Sequence, residues 1–277
     1  MLGRVGAERI IEANGVELCV ETFGDAADPA ILLVHGASAS MLWWEDELCE
    51  RIAAGRRYVI RFDNRDTGRS TSYPAGRPGY ALDDLVDDAM GVLDALHLPQ
   101  AHLVGRSMAG ATVTRAAEQY PDRVLTLTLV TTSSGEPGLP PMSQDFLTHT
   151  ANGPDPHEPG QVVDFLVGLM RIYSGGPIDE PAVRELCERD VRRTRDVAAC
   201  LTNHFLIDFG SPPALARLRT PTLVVHGDRD PVFPLDHGFA LLDAIRGSAL
   251  LVLDNTGHEL PQRTWDRFVP ALLHHAC

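Results

Sequence analysis

Short runs of consecutive apolar residues recur along this chain of 277 residues, and most are followed by a segment with helical periodicity. Because the apolar residues are consecutive rather than alternating, each run is typical of a strand buried on both faces of a parallel sheet. Strands that alternate with helices favour an open α/β sheet with helices on both faces. The predicted strands are 9–13, 16–23, 30–34, 58–62, 101–104, 124–130, 222–225 and 249–253.

The pattern between the strands predicts five helices and one hairpin. Asn14-Gly15 separates the first two strands and is the pair most typical of a tight β-hairpin. In the second helix, apolar residues recur at helical spacing on one face and aspartates occupy the other, as on a solvated surface. The predicted helices are 42–53, 82–96, 109–120, 236–245 and 264–274.

One long segment, residues 133–213, interrupts this alternation of strands and helices. It opens with a loop rich in proline and glycine at 136–160, and residues 162–170 and 181–209 read as helical. Long insertions of this kind are usually functional lids. We therefore predict a core domain formed by 1–132 and 214–277, with 133–213 as a helical cap; a purely structural insertion is the alternative.

A serine stands at a predicted sharp turn between a strand and a helix, in Gly105-Arg-Ser-Met-Ala-Gly110. Such a turn holds the hydroxyl of Ser107 away from the backbone, above the N-terminus of the following helix, where it can act as a nucleophile. This residue needs a base, a group that orients the base, and donors for the oxyanion.

The base and the orienting acid are predicted from two later loops, each directly after a strand. His258 follows Asn255-Thr-Gly, and Asp230 closes Gly227-Asp-Arg-Asp. The carboxyl ends of strands in an open α/β sheet form the ligand crevice, so both side chains should converge on the serine. We predict His258 as base and Asp230 as orienting acid, with Asp228 as the alternative acid.

The oxyanion donors are predicted to be two backbone amides. His35-Gly36 follows an apolar strand, and a glycine there permits a sharp turn that directs N–H groups into the crevice. We predict the amides of Ala37 and Met108 as the donors; a simple tight turn is the alternative. Aromatic, thioether and loop residues nearby and in the cap are predicted substrate contacts, although core packing is the better explanation for any single one of the side chains. They are His35, Gly36, Met41, Trp43, Trp44, Phe146, Tyr173, His204 and Phe205.

Composition excludes several other classes of protein. A net charge of −14 disfavours nucleic acid as a partner. The sequence contains no run of about 18 apolar residues, so no membrane span is predicted. The five scattered cysteines and the lack of an apolar leader favour a cytoplasmic protein. His226, Asp228 and Asp230 are too poorly arranged along one strand end to predict a metal site. We expect a small-molecule partner, no cofactor and no metal, and the pattern is silent on oligomeric state.

Five motifs together resemble the α/β-hydrolases along nearly the whole chain. They are His35-Gly36, 63–70, 105–110, 227–230 and Gly257-His258. The stretch Arg61-Phe-Asp-Asn-Arg-Asp-Thr-Gly-Arg-Ser-Thr71 is most similar to the aclacinomycin methylesterase-like branch of actinobacterial esterases. The resemblance implies a mostly parallel eight-stranded sheet with a helical cap, and a cofactor-free Ser-His-Asp esterase. It also implies, as substrate, a methyl ester of a polyketide-type metabolite cleaved through an acyl-enzyme.

One residue departs from that family pattern, and three further functions stay open. Ala109 stands where family members usually carry the glycine that allows close packing of the helix, which bears on the height of Ser107 above the sheet. A C–C bond or lactone hydrolase would use the same triad. A cofactor-free haloperoxidase activity is the second open function, and non-catalytic ligand binding on the same scaffold is the third. A serine nucleophile disfavours dehalogenases and epoxide hydrolases, in which an aspartate attacks.

Overall fold

A computed structural model describes residues 7–277, so residues 1–6, the start of the predicted core domain, lie outside it. The strands and helices alternate as the apolar pattern predicts. The strands are β1 Arg9–Ala13, β2 Val16–Phe23, β3 Ala30–Val34, β4 Tyr58–Phe62, β5 Ala101–Arg106, β6 Val124–Val130, β7 Thr222–Gly227 and β8 Ala249–Leu253. The helices are α1 Asp46–Ala53, α2 Leu82–Ala95, α3 Ala109–Gln119, α4 Gln144–Thr150, α5 Pro159–Tyr173, α6 Glu180–Arg193, α7 Val197–Thr202, α8 Asp236–Ala244 and α9 Trp265–His275.

All eight strands form one sheet in the order β1-β2-β4-β3-β5-β6-β7-β8. The β1–β2 and β2–β4 pairs are antiparallel and the remaining pairs are parallel, which confirms the predicted mostly parallel sheet. Strands β5 and β7 each run two residues further than predicted. The polar residues at their ends still pair with neighbours, Arg106 with Val130 and His226 with Val252.

The sheet is buried on both faces, as consecutive apolar residues require. On β3, Leu32 and Val34 belong to the apolar cluster that contains residues of α2 and α3. Ile31 and Leu33 point the other way, into the cluster that contains residues of α1 and α9. Helices therefore cover both faces and leave the carboxyl ends of the parallel strands as the place where loops gather.

Two helical predictions need correction. The predicted helix 42–53 is a 3₁₀ turn, Met41–Trp43, followed by α1, because Trp44 and Glu45 leave helical geometry. The predicted helical stretch 181–209 is broken into α6, α7 and a 3₁₀ turn, Asn203–Phe205. Asp196 starts α7 afresh by accepting from the amide of Ala199, a normal helix N-cap.

The insertion between β6 and β7 contains α4, α5, α6 and α7. Helix α4 lies inside the stretch predicted to be a loop, because Ser143 caps its first turn by accepting from the amide of Phe146. None of the helices within residues 7–277 is long and apolar enough to cross a membrane.

Candidate active site

Ser107 occupies a strained turn between β5 and α3. Its φ is +54°, in the left-handed region that non-glycine residues rarely adopt. The Ser107 amide donates to the carbonyl of Val130 at 2.9 Å, and Thr132 Oγ1 donates to the carbonyl of Ser107 at 2.7 Å. Such a conformation persists only where the surrounding residues hold it, and residues with this conformation are frequent at functional sites.

Two glycines make this turn sterically feasible. A Cβ at Gly105 would overlap the carbonyl oxygen of Ala109, and one at Gly110 would overlap the side chain of Thr132. Ala109 itself is fully buried as the first residue of α3. The methyl group of Ala109 is therefore accommodated in the core beside the turn that carries Ser107.

A chain of hydrogen bonds joins Ser107, His258 and Asp230. His258 Nε2 lies 3.0 Å from Ser107 Oγ, and His258 Nδ1 lies 2.9 Å from Asp230 Oδ2. Asp230 Oδ1 accepts from the amides of Val232 and Phe233 at 2.8 and 2.9 Å. Burial alone would raise the pKa of Asp230, but His258 and these polar contacts outweigh it and lower the pKa, so the carboxylate is charged.

Asp228, the alternative acid, lies elsewhere. Its Oδ1 accepts from the amide of Thr256 at 3.1 Å, where it braces the loop that carries His258. The acid in contact with the histidine ring is therefore Asp230.

Two backbone amides beside Ser107 are free. Within residues 7–277, the N–H groups of Ala37 and Met108 have no hydrogen-bond acceptor. A Cβ on Gly36 would lie 2.8 Å from Ser107 Cβ and 2.9 Å from the carbonyl of Arg106, so only glycine lets this loop approach so closely. Unpaired amides at such a place can bind a developing oxyanion.

Comparisons with known proteins identify the family of this chain. A family model described as alpha/beta hydrolase fold matches residues 29–161. Rhodomycin D methylesterase DauP of Streptomyces sp. (strain C5) is 33% identical over 294 residues, which span 96% of this chain and 97% of that protein. Rhodomycin D methylesterase DnrP of Streptomyces peucetius is 32% identical over the same shares. The chain belongs to the α/β-hydrolase family.

A solved structure supports the fold of this α/β-hydrolase. The esterase RhEst1 from Rhodococcus sp. ECU1013 matches with a TM-score of 0.79, covering 98% of this chain and 100% of that one at 21% identity. At that identity the similarity speaks for the fold alone.

The insertion brings aromatic side chains to the histidine of the hydrolase. The Tyr173 ring centroid lies 4.9 Å from that of His258, and Phe146 stacks on Tyr173 at 5.9 Å. The carbonyl of Tyr173 accepts from the His258 amide at 2.8 Å. Burial raises the pKa of Tyr173 to about 12, so its hydroxyl is neutral. Phe233, which the sequence pattern does not single out, lies 5.7 Å from the His258 ring.

Several predicted substrate contacts have other surroundings. The ring of Trp44 is fully buried in the core and meets His35 edge-on, and Met41 is also fully buried. Trp43 Nε1 donates to Asp190 Oδ2 at 2.7 Å. Phe205 is 68% exposed, because its 3₁₀ turn directs the two residues before it inward. The ring of Trp44 is thus enclosed in the core and that of Phe205 faces solvent, and their contact with substrate stays a prediction.

Arg106, directly before the serine, is a site residue that the sequence pattern does not single out. Its side chain is buried, Nη2 donates to the carbonyl of His258 at 2.7 Å, and Nη1 lies 3.3 Å from His35 Nε2. No carboxylate within residues 7–277 forms an ion pair with it. The signal that could have revealed it is a charged residue between the predicted strand 101–104 and the serine.

Proposed function

We propose that this α/β-hydrolase is a serine esterase that cleaves a carboxylic ester of a small molecule. The observation that carries the proposal is the continuous chain of hydrogen bonds from Asp230 through His258 to Ser107, beside the free amides of Ala37 and Met108. A nucleophile, a base, an orienting acid and oxyanion donors are the parts that acyl transfer requires.

In the proposed reaction His258 takes the proton of Ser107 while Oγ attacks the ester carbonyl. The amides of Ala37 and Met108 hold the tetrahedral oxyanion. His258 then gives the proton to the departing alcohol, which leaves an acyl-enzyme. Water deprotonated by His258 releases the acid and restores the serine, while Asp230 keeps the ring in the required tautomer and stabilises its charged form.

We further propose that the substrate is a methyl ester on a polyketide-type acid and that residues 133–213 form a cap over Ser107. Similarity to two rhodomycin D methylesterases along 96% of the chain supports this choice. Phe146, Tyr173 and Phe233 cluster at His258, and aromatic surfaces of this kind suit a flat aromatic acid. The cytoplasm is the proposed compartment, in keeping with five unpaired cysteines.

The test uses two kinds of substrate. Conversion of rhodomycin D is measured by mass spectrometry, and hydrolysis of a p-nitrophenyl ester series from acetate to octanoate is measured by absorbance. We expect rhodomycin D to lose its ester methyl group, and a fluorophosphonate to label Ser107 in the wild type. Turnover of an enol-lactone or of a C–C substrate at a higher kcat/KM would favour the lactonase or C–C alternative. Peroxide-dependent halogenation in acetate would reveal the haloperoxidase activity. An unlabelled, inactive wild type would overturn the esterase proposal and favour a binding protein.

A further inference from the structure

The loop that carries the Ala37 amide, residues 35–41, is held at both ends by the segment after β4. Asn64 Nδ2 donates to the carbonyl of His35 at 2.8 Å, and Asp63 Oδ1 accepts from the amide of Met41 at 2.9 Å. We call residues 35–41 the oxyanion loop. Both of these anchors belong to the core.

The middle of the oxyanion loop is held by the insertion instead. The Ser38 amide donates to Nδ1 of His204 at 3.1 Å, across 166 positions of sequence. Ser38 has a φ of +57°, a left-handed conformation for a residue with a side chain. Conformations of this kind persist only where neighbouring groups hold them, and the His204 ring is the group that meets the Ser38 amide.

His204 is well placed to act as a fixed acceptor. It is 1% exposed, and burial lowers its pKa to about 4, so the ring is neutral at physiological pH and one nitrogen can accept. The neighbouring Asn203 is tied down, since its Nδ2 donates to Asp66 Oδ2 at 3.0 Å and its Oδ1 accepts from the Gly76 amide at 2.8 Å. The edge of the His204 ring also meets Tyr80.

We propose that His204 is a positioning residue for ester hydrolysis: through the Ser38 amide it fixes the oxyanion loop so that the Ala37 N–H faces Ser107. This inference rests on the proposed function. The peptide between Ala37 and Ser38 cannot rotate without breaking the bond to His204, and it directly follows the peptide that carries the Ala37 N–H. A residue of the insertion thus completes a site whose reacting groups all belong to the core.

The test compares His204→Asn, His204→Gln and His204→Leu. Asparagine can place an oxygen near the position of Nδ1, glutamine reaches toward that of Nε2, and leucine offers no acceptor. With p-nitrophenyl acetate we expect the leucine and glutamine variants to lose about 10- to 100-fold in kcat, with KM within about twofold, since they disturb one oxyanion donor. The asparagine variant should keep kcat within about threefold.

A second readout separates positioning from general stability. A trifluoromethyl ketone forms an oxyanion adduct with the serine, so its affinity should fall by the same factor as kcat, while the Tm of the variants is followed in parallel. Leu206→Ala, at an exposed neighbour, is the matched control and should leave kcat unchanged. If the leucine variant fails to fold, the asparagine and glutamine pair still decides the question.

Three kinetic outcomes would overturn the role of His204: a leucine variant with wild-type kcat, equal kcat in the asparagine and glutamine variants, or losses that follow Tm alone; a fourth comes from labelling. The rate of fluorophosphonate labelling at Ser107 also depends on the oxyanion amides, and it can be measured without any ester substrate. An esterase-negative wild type would therefore contradict the proposed function, whereas unchanged labelling rates across the variants would contradict this inference.

Discussion

The core and the insertion supply the two sides of the site in different ways. Ser107, Asp230 and His258 each follow a strand of the sheet. Ser107 and Asp230 are held by bonds within their own loop or to the adjacent strand, whereas the His258 amide donates to the carbonyl of Tyr173 in the insertion. Tyr173 and His204 stand on helical segments whose place is fixed by contacts with the core far away in sequence. The core side is therefore specified mainly by its own loops and strands, and the insertion side is specified by tertiary packing.

The largest effect expected on the core side comes from Ser107→Ala, which removes the nucleophile. We expect kcat to fall by about 10⁶, with an unchanged far-UV spectrum and Tm, in assays of p-nitrophenyl acetate. Ser133→Ala is the matched control, because Ser133 Oγ also meets a histidine, His237 Nδ1 at 2.7 Å, while Nε2 of that ring lies 2.9 Å from the carbonyl of Pro140 in place of a carboxylate. A large loss in the control, or none in Ser107→Ala, would place the nucleophile elsewhere.

This comparison explains what sequence can predict. Apolar runs locate the strands, and Gly36, Gly105 and Gly110 stand out in short motifs. The contact that requires Gly105 lies within its motif, whereas Gly110 and Gly36 are required by contacts with Thr132 and Ser107. The hydrogen bond of His204 to Ser38 and the bond of Arg106 to His258 join residues more than 150 positions apart. No local pattern encodes such a pair. The sequence therefore does not reveal Arg106, and it predicts His204 as a substrate contact although its ring binds the oxyanion loop.

The next effect tests the choice of acid. Asp230→Asn keeps the size of the side chain but removes the charge, so the wrong His258 tautomer is favoured, and we expect kcat to fall by about 10⁴. Asp228→Asn should cost less than about tenfold, because that carboxylate only braces the Thr256 amide. Measuring kcat and KM of both variants decides which aspartate orients His258. A larger loss of kcat in Asp228→Asn than in Asp230→Asn would make Asp228 the orienting acid.

The pH dependence of stability sharpens the comparison, because both regions contain a buried histidine whose pKa is lowered to about 4. Burial lowers the pKa of His204 in the insertion, and of His102 on β5, to about 4. The unfolded chain binds more protons than the folded chain between about pH 4 and pH 6.5, so stability is lost as pH falls through this window. For His204 the loss between pH 7 and pH 5 is about 2 kcal/mol.

Urea unfolding at the two pH values measures this loss. His204→Asn should be less sensitive to the change of pH than the wild type by about that amount, since the titrating group is gone. His102→Asn should shift the dependence in the same direction by a comparable amount, because burial lowers the pKa of His102 to about 4 as well. Equal pH dependence in all three proteins would mean that neither ring is held neutral by burial.

The smallest effect concerns which acid the insertion admits. Tyr173 stacks on Phe146 beside His258 without a hydrogen bond to Ser107, so shortening this pair should alter binding of the acid part and not the chemistry. We expect Phe146→Ala to raise KM for an aromatic methyl ester about tenfold, as loss of a few buried carbons does in an apolar pocket, with kcat for p-nitrophenyl acetate unchanged. Leu147→Ala, an exposed neighbour on α4, should change neither value. If Phe146→Ala instead lowers kcat for both esters, the insertion positions the reacting groups through this pair as well as through His204, and the division between a catalytic core and a selective cap would not hold.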